Sequence, residues 1–353
     1  MWTACRRRSR APTSSSWATP ATPIGGCASG REHRVAVGER LVNTALQSAN
    51  VELSVVVVGW NGAAYLSACL DAARGEGREL IFVDNASRDG SVALLRERHP
   101  DVRLLVNDAN LGFARAANRG LHEARGRYVL FLNPDAVVSD ETVDAALAVL
   151  AGRPRVGLVG VAQRDAAGRV LPTVEPFFSL AALRRPSHAR VTAPDGPGPV
   201  EIEWCHGAFL LGRRDELVAL GGFDERYFLY AEDMDLCFRV HESGRSVVYL
   251  PQVSILHEGN AAGRELLGER RAAAIFASQL MFHRERRGFA ATVLLRALAA
   301  VAFGVRALAY RLAGSPLSGR YAALAAVAVR GGPGPTVAAA GRQPVPSRAT
   351  GER

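Results

Sequence analysis

The chain has 353 residues, 48% of them hydrophobic and 22% charged, a balance that is typical of a globular protein and excludes a largely disordered one. The formal net charge of +9 would by itself suggest a nucleic-acid or anionic-membrane partner. The excess arginine lies in residues 1–50 and 284–353, however, and residues 51–283 carry more acidic than basic side chains, which argues against a basic nucleic-acid groove in the folded part.

The first 50 residues are predicted to be a disordered basic tail. They lack the apolar stretch of about 7 to 15 residues that a secretory signal requires. The five cysteines of the chain are scattered and form no CxxC pair, so neither zinc nor a redox centre is indicated. A reducing cytoplasm is the simplest location.

Apolar strands alternate with helical segments four times after the tail. The strands are predicted at Leu53–Val58, Glu79–Val83, Val102–Val106 and Arg127–Leu132. This alternation indicates a mostly parallel sheet with crossover helices, an α/β fold. Polar residues follow the strands, and ligands of such sheets bind at the carboxyl ends of the strands. The sequence therefore predicts a ligand site at that edge.

The pattern is less regular after Asp140. Short strands are predicted at 156–161 and 169–174, and a proline-rich loop follows. The later elements are a strand at 207–212, a helix at 213–220, a helix beginning near Ala231, a strand at 246–250 and a last core segment at 255–259.

The most apolar segment, Phe289–Ala313, is predicted to be an amphipathic helix. Arg296, Arg306 and Arg311 interrupt it and would fall within an arc of about 140° at the helical period. Such a helix would lie in a membrane interface, with its arginines among lipid phosphates. Packing on the core or on another subunit is the alternative. The expected organisation is a folded domain over 51–285, a membrane-associating helical segment over 286–330 and a disordered tail over 331–353.

Asp84 and Asn85 follow the second strand in a turn of small residues. A carboxylate there can accept hydrogen bonds from a nucleobase or a ribose, and small neighbours let a flat base approach the backbone. The alternative is that both residues only cap the next helix. The first strand is not followed by GxGxxG, which disfavours a dinucleotide site.

Asp135 and His257 are candidate metal ligands. Asp135 follows the apolar strand that ends at Asn133-Pro134, and one carboxylate together with diphosphate oxygens is a common way to hold Mg²⁺ or Mn²⁺. His257 could supply a nitrogen ligand to the same ion. Asn-Pro-Asp is also an ordinary turn sequence, and a single histidine is more often structural.

Three acidic residues, Glu232, Asp233 and Asp235, stand near the start of a predicted helix. Carboxylates in a first helical turn interact favourably with the helix dipole, which is the structural explanation. The functional explanation is that one of them takes a proton from an attacking hydroxyl.

Taken in this order, the motifs resemble the family 2 glycosyltransferases, which have the GT-A nucleotide-sugar fold, and within them the rhamnosyl and galactofuranosyl transferases. The resemblance covers about residues 51–285 and rests on seven motifs: Ser54–Val58 with Trp60-Asn61, Val83–Ser87, Asn110–Asn118, Phe131–Asp135, Gly207–Leu210, Gly221–Asp224 and Tyr230–Leu236.

The resemblance implies a role for each matching residue. Asp233 would be the catalytic base, with Glu232 beside it, and Asp135 and His257 would bind Mg²⁺ or Mn²⁺. Donor contacts are implied for Asp84, Asn85, Asn61, Arg115, Asn118 and Gly207. Two departures stand out: Asn133-Pro134-Asp135 replaces a motif with two aspartates, and His206 has no family role.

The resulting hypothesis is an inverting glycosyltransferase peripheral at the inner face of the cytoplasmic membrane. The expected donor is dTDP-rhamnose, with UDP-sugars next, and the expected acceptor is a hydroxyl of a cell-envelope or lipid-linked glycan. The alternative is a non-catalytic nucleotide-sugar-binding protein of envelope assembly, and a nucleic-acid partner is not expected.

Overall fold

The computed structural model describes residues 51–184, 194–257, 267 and 270–330. The tails predicted at 1–50 and 331–353 lie outside the described residues, as do the last two residues of the segment predicted at 255–259. The strands are β1 (Leu53–Gly59), β2 (Arg78–Asp84), β3 (Arg103–Val106), β4 (Tyr128–Leu132), β5 (Ala136–Val137), β6 (Val156–Arg164), β7 (Val174–Glu175), β8 (Val200–Ile202), β9 (Trp204–Cys205), β10 (Phe209–Arg213) and β11 (Ser246–His257).

Helices cover much of the remainder. They are α1 (Ala63–Ala73), α2 (Ser91–Arg98), α3 (Phe113–Glu123), α4 (Asp140–Gly152), α5 (Arg214–Ala219), α6 (Glu232–Glu242), α7 (Arg271–Arg287), α8 (Phe289–Leu312) and α9 (Leu317–Arg330). A short 3-10 turn spans Leu180–Arg184.

The described residues form a central sheet in the order β3-β2-β1-β4-β10-β6-β11-β5, with β8 also paired to β11. β1 runs parallel to both β2 and β4, and all seven of its residues are buried, as expected for a strand covered on both faces. The register pairs Gly59 with Asp84, so the ends of β1 and β2 lie side by side. The predicted α/β fold with a parallel strand–helix half is confirmed.

The second half of the sheet differs from the prediction in three places. The helix α4 was not predicted; Ser139 caps it by accepting a hydrogen bond from the Thr142 N–H at 3.2 Å. The strand predicted at 169–174 is reduced to a single bridge at Val170 and the two residues of β7. The strand at 246–250 and the described part of the segment at 255–259, residues 255–257, belong to one strand, β11, whose register shifts between Leu250 and Ser254.

The two faces of the sheet carry separate apolar cores. Alternate residues of β1 face opposite sides, so that Val56 belongs to one core and Val57 to the other. The C-terminal helices are part of the Val56 core: the rings of Phe276 on α7 and Phe303 on α8 meet edge to face with centroids 5.2 Å apart. Helix α7 runs across the domain boundary expected at residue 285, and that boundary stays a prediction.

Two of the α8 arginines correct the expectation that they lie among lipid phosphates. The Arg296 guanidinium donates to the Ala328 carbonyl at 2.9 Å, and the Arg306 guanidinium donates to the Leu183 carbonyl at 2.9 Å. Both therefore bind protein, whereas Arg311 near the end of α8 is exposed. The exposed face is apolar instead, and by length and composition alone the helix could cross a membrane.

Candidate active site

A cleft of about 960 Å³ opens at the carboxyl ends of β1, β2 and β4. Six of the predicted site residues line it: Asn85, Asp135, Gly207, Glu232, Asp233 and His257. The other four predicted residues, Asp84, Asn61, Arg115 and Asn118, are not part of its lining. The cleft thus brings together the predicted metal ligands and the predicted base, as parallel-sheet topology favours.

Asp84 is fully buried at the end of β2. Its Oδ2 accepts the Ser87 N–H at 3.0 Å, while its Oδ1 is buried without a hydrogen-bond partner. The same turn is fastened to the end of β1, since the Asn61 N–H donates to Ser87 Oγ at 3.0 Å and Asn61 Oδ1 accepts the Arg88 N–H at 2.9 Å. An unsatisfied buried carboxylate oxygen is costly, so Asp84 has capacity for a donor such as a nucleobase N–H. Its role stays a prediction.

Asn85 organises the loop that faces this turn. Its Nδ2 donates to the Gly112 carbonyl at 3.0 Å, and its Oδ1 accepts from Asn107 Nδ2 at 2.8 Å. Gly112 is required at its position, because its φ is +84° and a Cβ there would lie 2.4 Å from the Phe228 carbonyl oxygen. Asn85 therefore holds the shape of the cleft wall as well as lining it.

Asn118 and Arg115 lie on α3 away from the cleft lining. The Asn118 amide donates to the Phe223 carbonyl and accepts the Phe223 N–H, both at 2.8 Å, which ties α3 to the turn after α5. Arg115 is more than half exposed and pairs with Glu225 at 3.6 Å. Asn118 therefore has a structural role. Contact of Asn118 or Arg115 with the nucleotide stays a prediction.

The predicted metal ligands meet in the cleft. Asp135 Oδ1 and His257 Nε2 are 3.3 Å apart, and both side chains are buried. His257 Nδ1 lies 2.8 Å from Gln163 Oε1, and Gln163 Nε2 donates to the His206 carbonyl at 3.4 Å. Because this bond directs Oε1 toward the imidazole, Nδ1 would act as the donor to Gln163, and Nε2, which lies 3.2 Å from Asn133 Nδ2, would face a metal ion with its lone pair.

This donor set suits a divalent ion with further ligands from a substrate. The described residues contain no cluster of three or more His, Cys, Asp or Glu that could enclose a metal. One carboxylate and one imidazole leave positions for diphosphate oxygens and water, the arrangement that Mg²⁺ and Mn²⁺ commonly take. The nearby Cys69 does not compete as a thiolate ligand, since burial and the Asp135 charge raise its pKa to about 12.

Asp233 reaches the cleft from the start of α6. Two successive residues before the helix, Tyr230 and Ala231, have φ values of +71° and +67°, a conformation that costs non-glycine residues about 1–3 kcal/mol each. This turn sets the direction in which α6 begins. Asp233 Oδ2 then accepts the Gly207 N–H at 2.9 Å, which fixes the carboxylate to the cleft wall.

The two adjacent carboxyl groups differ in environment. Glu232 is buried and its Oε2 has no hydrogen-bond partner; burial and the neighbouring Asp233 charge raise its pKa well above the ordinary value. Burial also raises the pKa of Asp233, but the electrostatic influence of His206 and backbone hydrogen bonds from Gly207, Met234 and Asp233 itself act against burial there. Asp233 is therefore the better candidate for an ionised base, and Glu232 favours the neutral form.

Sequence reasoning missed the supporting residues on β6, β7 and β9. His206 Nε2 lies 3.2 Å from Glu175 Oε1, and its ring centroid is 5.1 Å from that of Trp204; all three residues line the cleft. The position of His206 next to Gly207 was the available signal. Gln163 gave none, because its role depends on the pairing of β6 with β11.

A half-sheet of parallel strands that ends in a cleft with a buried carboxylate–imidazole pair is consistent with the GT-A fold expected from the sequence motifs. The family model described as Glycosyl transferase family 2 matches residues 54–207. The chain is 34% identical over 243 residues to N-acetylglucosaminyl-diphospho-decaprenol L-rhamnosyltransferase of Mycobacterium tuberculosis, an alignment that covers 60% of this chain and 78% of that protein. The chain belongs to glycosyltransferase family 2.

Other comparisons agree with the fold and with a rhamnosyltransferase-like branch. The chain is 25% identical over 149 residues to rhamnosyltransferase WbbL of Escherichia coli, covering 40% of this chain and 56% of that protein. Its fold is similar to that of a mannosyltransferase from Pyrobaculum calidifontis solved with GDP-Man and Mn²⁺, with a TM-score of 0.51, 20% sequence identity, and coverage of 85% of this chain and 96% of that chain.

Proposed function

We propose that this protein is an inverting rhamnosyltransferase that moves a sugar from dTDP-rhamnose to a hydroxyl of a lipid-linked glycan, with a UDP-sugar as the second candidate donor. The observation that carries the proposal is the meeting of Asp233 with the Asp135–His257 pair in one cleft. The relatives named above as rhamnosyltransferases support the sugar, and the decaprenol in the name of the first supports a lipid-linked acceptor.

In the proposed reaction Asp233 takes the proton of the acceptor hydroxyl as that oxygen attacks the anomeric carbon. The bond from this carbon to the diphosphate breaks on the opposite face, so a single displacement inverts the configuration. The Gly207 N–H keeps the Asp233 carboxylate in place for proton transfer. A divalent ion held by Asp135 and His257 would neutralise negative charge on the departing diphosphate.

The donor can be tested by thermal stabilisation of the purified protein. The panel is dTDP-rhamnose, UDP-glucose, UDP-galactofuranose, UDP-N-acetylglucosamine and GDP-mannose, each with and without Mg²⁺ or Mn²⁺. A ligand at 100 times its Kd adds about 2.7 kcal/mol to the free energy of unfolding, which shifts Tm by several degrees. We expect the largest metal-dependent shift with dTDP-rhamnose. No shift with any donor would count against the proposed donor site, whereas a shift without turnover would favour the non-catalytic nucleotide-sugar-binding alternative. The anomeric configuration of the product, measured by NMR, tests inversion.

We also propose that the protein is peripheral at the inner face of the cytoplasmic membrane and that the exposed face of α8 enters it. Large apolar side chains recur along this face at helical spacing: Phe289, Val293, Leu294, Leu298, Val301, Val305, Leu308 and Leu312, each at least 42% exposed. Soluble monomers rarely leave such a continuous apolar surface in water. The exposed Arg284, Arg287 and Arg311 would meet anionic headgroups.

Polar substitutions on this face should release the protein from membranes. Leu298→Gln combined with Val305→Gln is expected to weaken binding to phosphatidylglycerol vesicles by about tenfold or more, because two apolar side chains no longer enter the acyl boundary. Co-sedimentation with vesicles measures the change. The matched control is Val106→Gln with Val218→Gln, two exposed valines elsewhere in the fold. Equal loss in both variants, or none in either, would contradict the assignment of α8.

A further inference from the structure

Arg271, the first residue of α7, lines the same cleft as the predicted base and metal ligands. Its guanidinium carbon lies 5.8 Å from the centroid of the Tyr230 ring. Its Nε is buried and has no hydrogen-bond partner. This cation–π contact provides no oxygen acceptor. The N–H groups of the guanidinium therefore remain available to donate hydrogen bonds to an acceptor.

Other arginines near the cleft are already paired with carboxylates. Arg169, which also lines the cleft, meets Asp165 at 2.7 Å. Arg239 on α6 and Arg286 on α7 share the fully buried Asp235 at 2.8 and 2.7 Å. Within the described part of the chain Arg271 makes no such ion pair, although Glu232 and Asp233 line the same cleft. A buried cationic donor left unpaired is costly, which indicates that its acceptor is a ligand.

The chemistry of the guanidinium identifies the kind of acceptor. Its planar fork of N–H donors matches the oxygens of a phosphate group, which it can bind with two parallel hydrogen bonds. The proposed function, on which this inference rests, brings two diphosphates to the cleft: that of the nucleotide donor and that of a lipid-linked acceptor. We infer that Arg271 binds a substrate diphosphate in the cleft.

Helix α7 extends from the cleft to the buried face of α8. Ile275 and Gln279 follow it at spacings of four residues and also line the cleft, so one face of α7 forms part of the wall. Phe276 on this helix contacts the buried Phe303 of α8, whereas Val301 and Val305, two residues before and after Phe303, point to the opposite face of α8 and are 67% and 63% exposed. Arg271 lies about 7.5 Å along the helix axis from Phe276.

Isothermal titration of the full chain separates the two sources. The probes are dTDP, which represents the donor, and farnesyl diphosphate, which represents the lipid-linked acceptor, each with Mn²⁺ present. Arg271→Gln is expected to weaken binding of at least one probe by tenfold or more, and Arg271→Lys by less, because lysine keeps the charge but loses the fork. Arg98→Gln is the matched control, since it makes the same change in an exposed arginine in the last turn of α2, a residue outside the cleft lining.

Each result has a defined meaning. Weaker binding of farnesyl diphosphate with unchanged dTDP binding supports the acceptor diphosphate, and the reverse supports the donor diphosphate. Affinities within twofold of wild type for both probes overturn the assignment of Arg271, as does an equal loss in Arg98→Gln. A wild-type chain that binds neither probe and transfers no sugar would overturn the proposed function itself, and the inference with it.

Discussion

Asp233→Asn is expected to lower kcat by about 10²- to 10⁴-fold while the Kd for the donor stays within about twofold of wild type. The carboxylate would no longer accept the proton of the attacking hydroxyl, but the residues that face the nucleotide are unchanged. Initial rates at saturating donor and acceptor measure kcat, and isothermal titration measures donor binding. Near-normal turnover would remove Asp233 from the role of base.

The control must separate chemistry from folding. Asp233 accepts N–H groups from both Gly207 and Met234, so the amide of the variant has to turn one NH₂ toward a backbone donor. A modest fall in Tm is therefore expected, and rates should be measured well below it. Asp215→Asn makes the same chemical change in a side chain that is 95% exposed, and it should leave both kcat and Tm unaltered.

The pH profile gives a second test of the same residue. Burial raises the pKa of Asp233 above its ordinary value, so the acid limb of the rate profile should lie above that of an ordinary aspartate. Falling pH protonates the base and the rate decreases; in Asp233→Asn that limb should disappear from the residual activity. An unchanged acid limb in the variant would assign the titration to another group.

The parallel half of the fold was predictable because each strand and helix there is local in sequence. Continuous apolar runs, which are typical of strands covered on both faces, predict β1 and β2. The alternation of strands and helices then dictates that the carboxyl ends of these strands lie at one edge of the sheet. This is also why Asp84, Asp135 and the cleft could be placed near one another without coordinates. The late strands pair antiparallel or across long gaps in sequence, and no local pattern specifies β10 between β4 and β6.

Individual side-chain roles were harder to predict than their neighbourhood. Asn118 is the last residue of the motif Asn110–Asn118, which lies beside the site. A buried amide must satisfy its hydrogen bonds, and Asn118 does so with the backbone of Phe223. Gln163 and His206 reach the cleft only through long-range pairing of β6 and of β9. The direction of Asp233 depends on the left-handed turn at Tyr230–Ala231, where neither residue type predicts a positive φ.

Asp135→Asn is expected to weaken Mn²⁺-dependent binding of dTDP by about 100-fold or more. Even loss of a residue that only hydrogen-bonds to a metal ligand lowers metal affinity by about 10- to 100-fold. The amide keeps the volume of a buried side chain but loses the negative charge 3.3 Å from His257 Nε2. Electron paramagnetic resonance of Mn²⁺ reports the bound ion, and isothermal titration with and without Mn²⁺ reports the nucleotide.

The metal assignment of Asp135 depends on the difference between these titrations. In wild type Mn²⁺ should tighten dTDP binding, and in Asp135→Asn the two affinities should converge, because only the metal-dependent part is removed. Asp108→Asn is the matched control: it alters an exposed aspartate just after β3, near the same edge of the sheet, and should keep the full Mn²⁺ effect. If Asp135→Asn binds Mn²⁺ and dTDP as tightly as wild type does, the Asp135 carboxylate is structural. Its pair with His257 would then hold the end of β11 against the turn after β4.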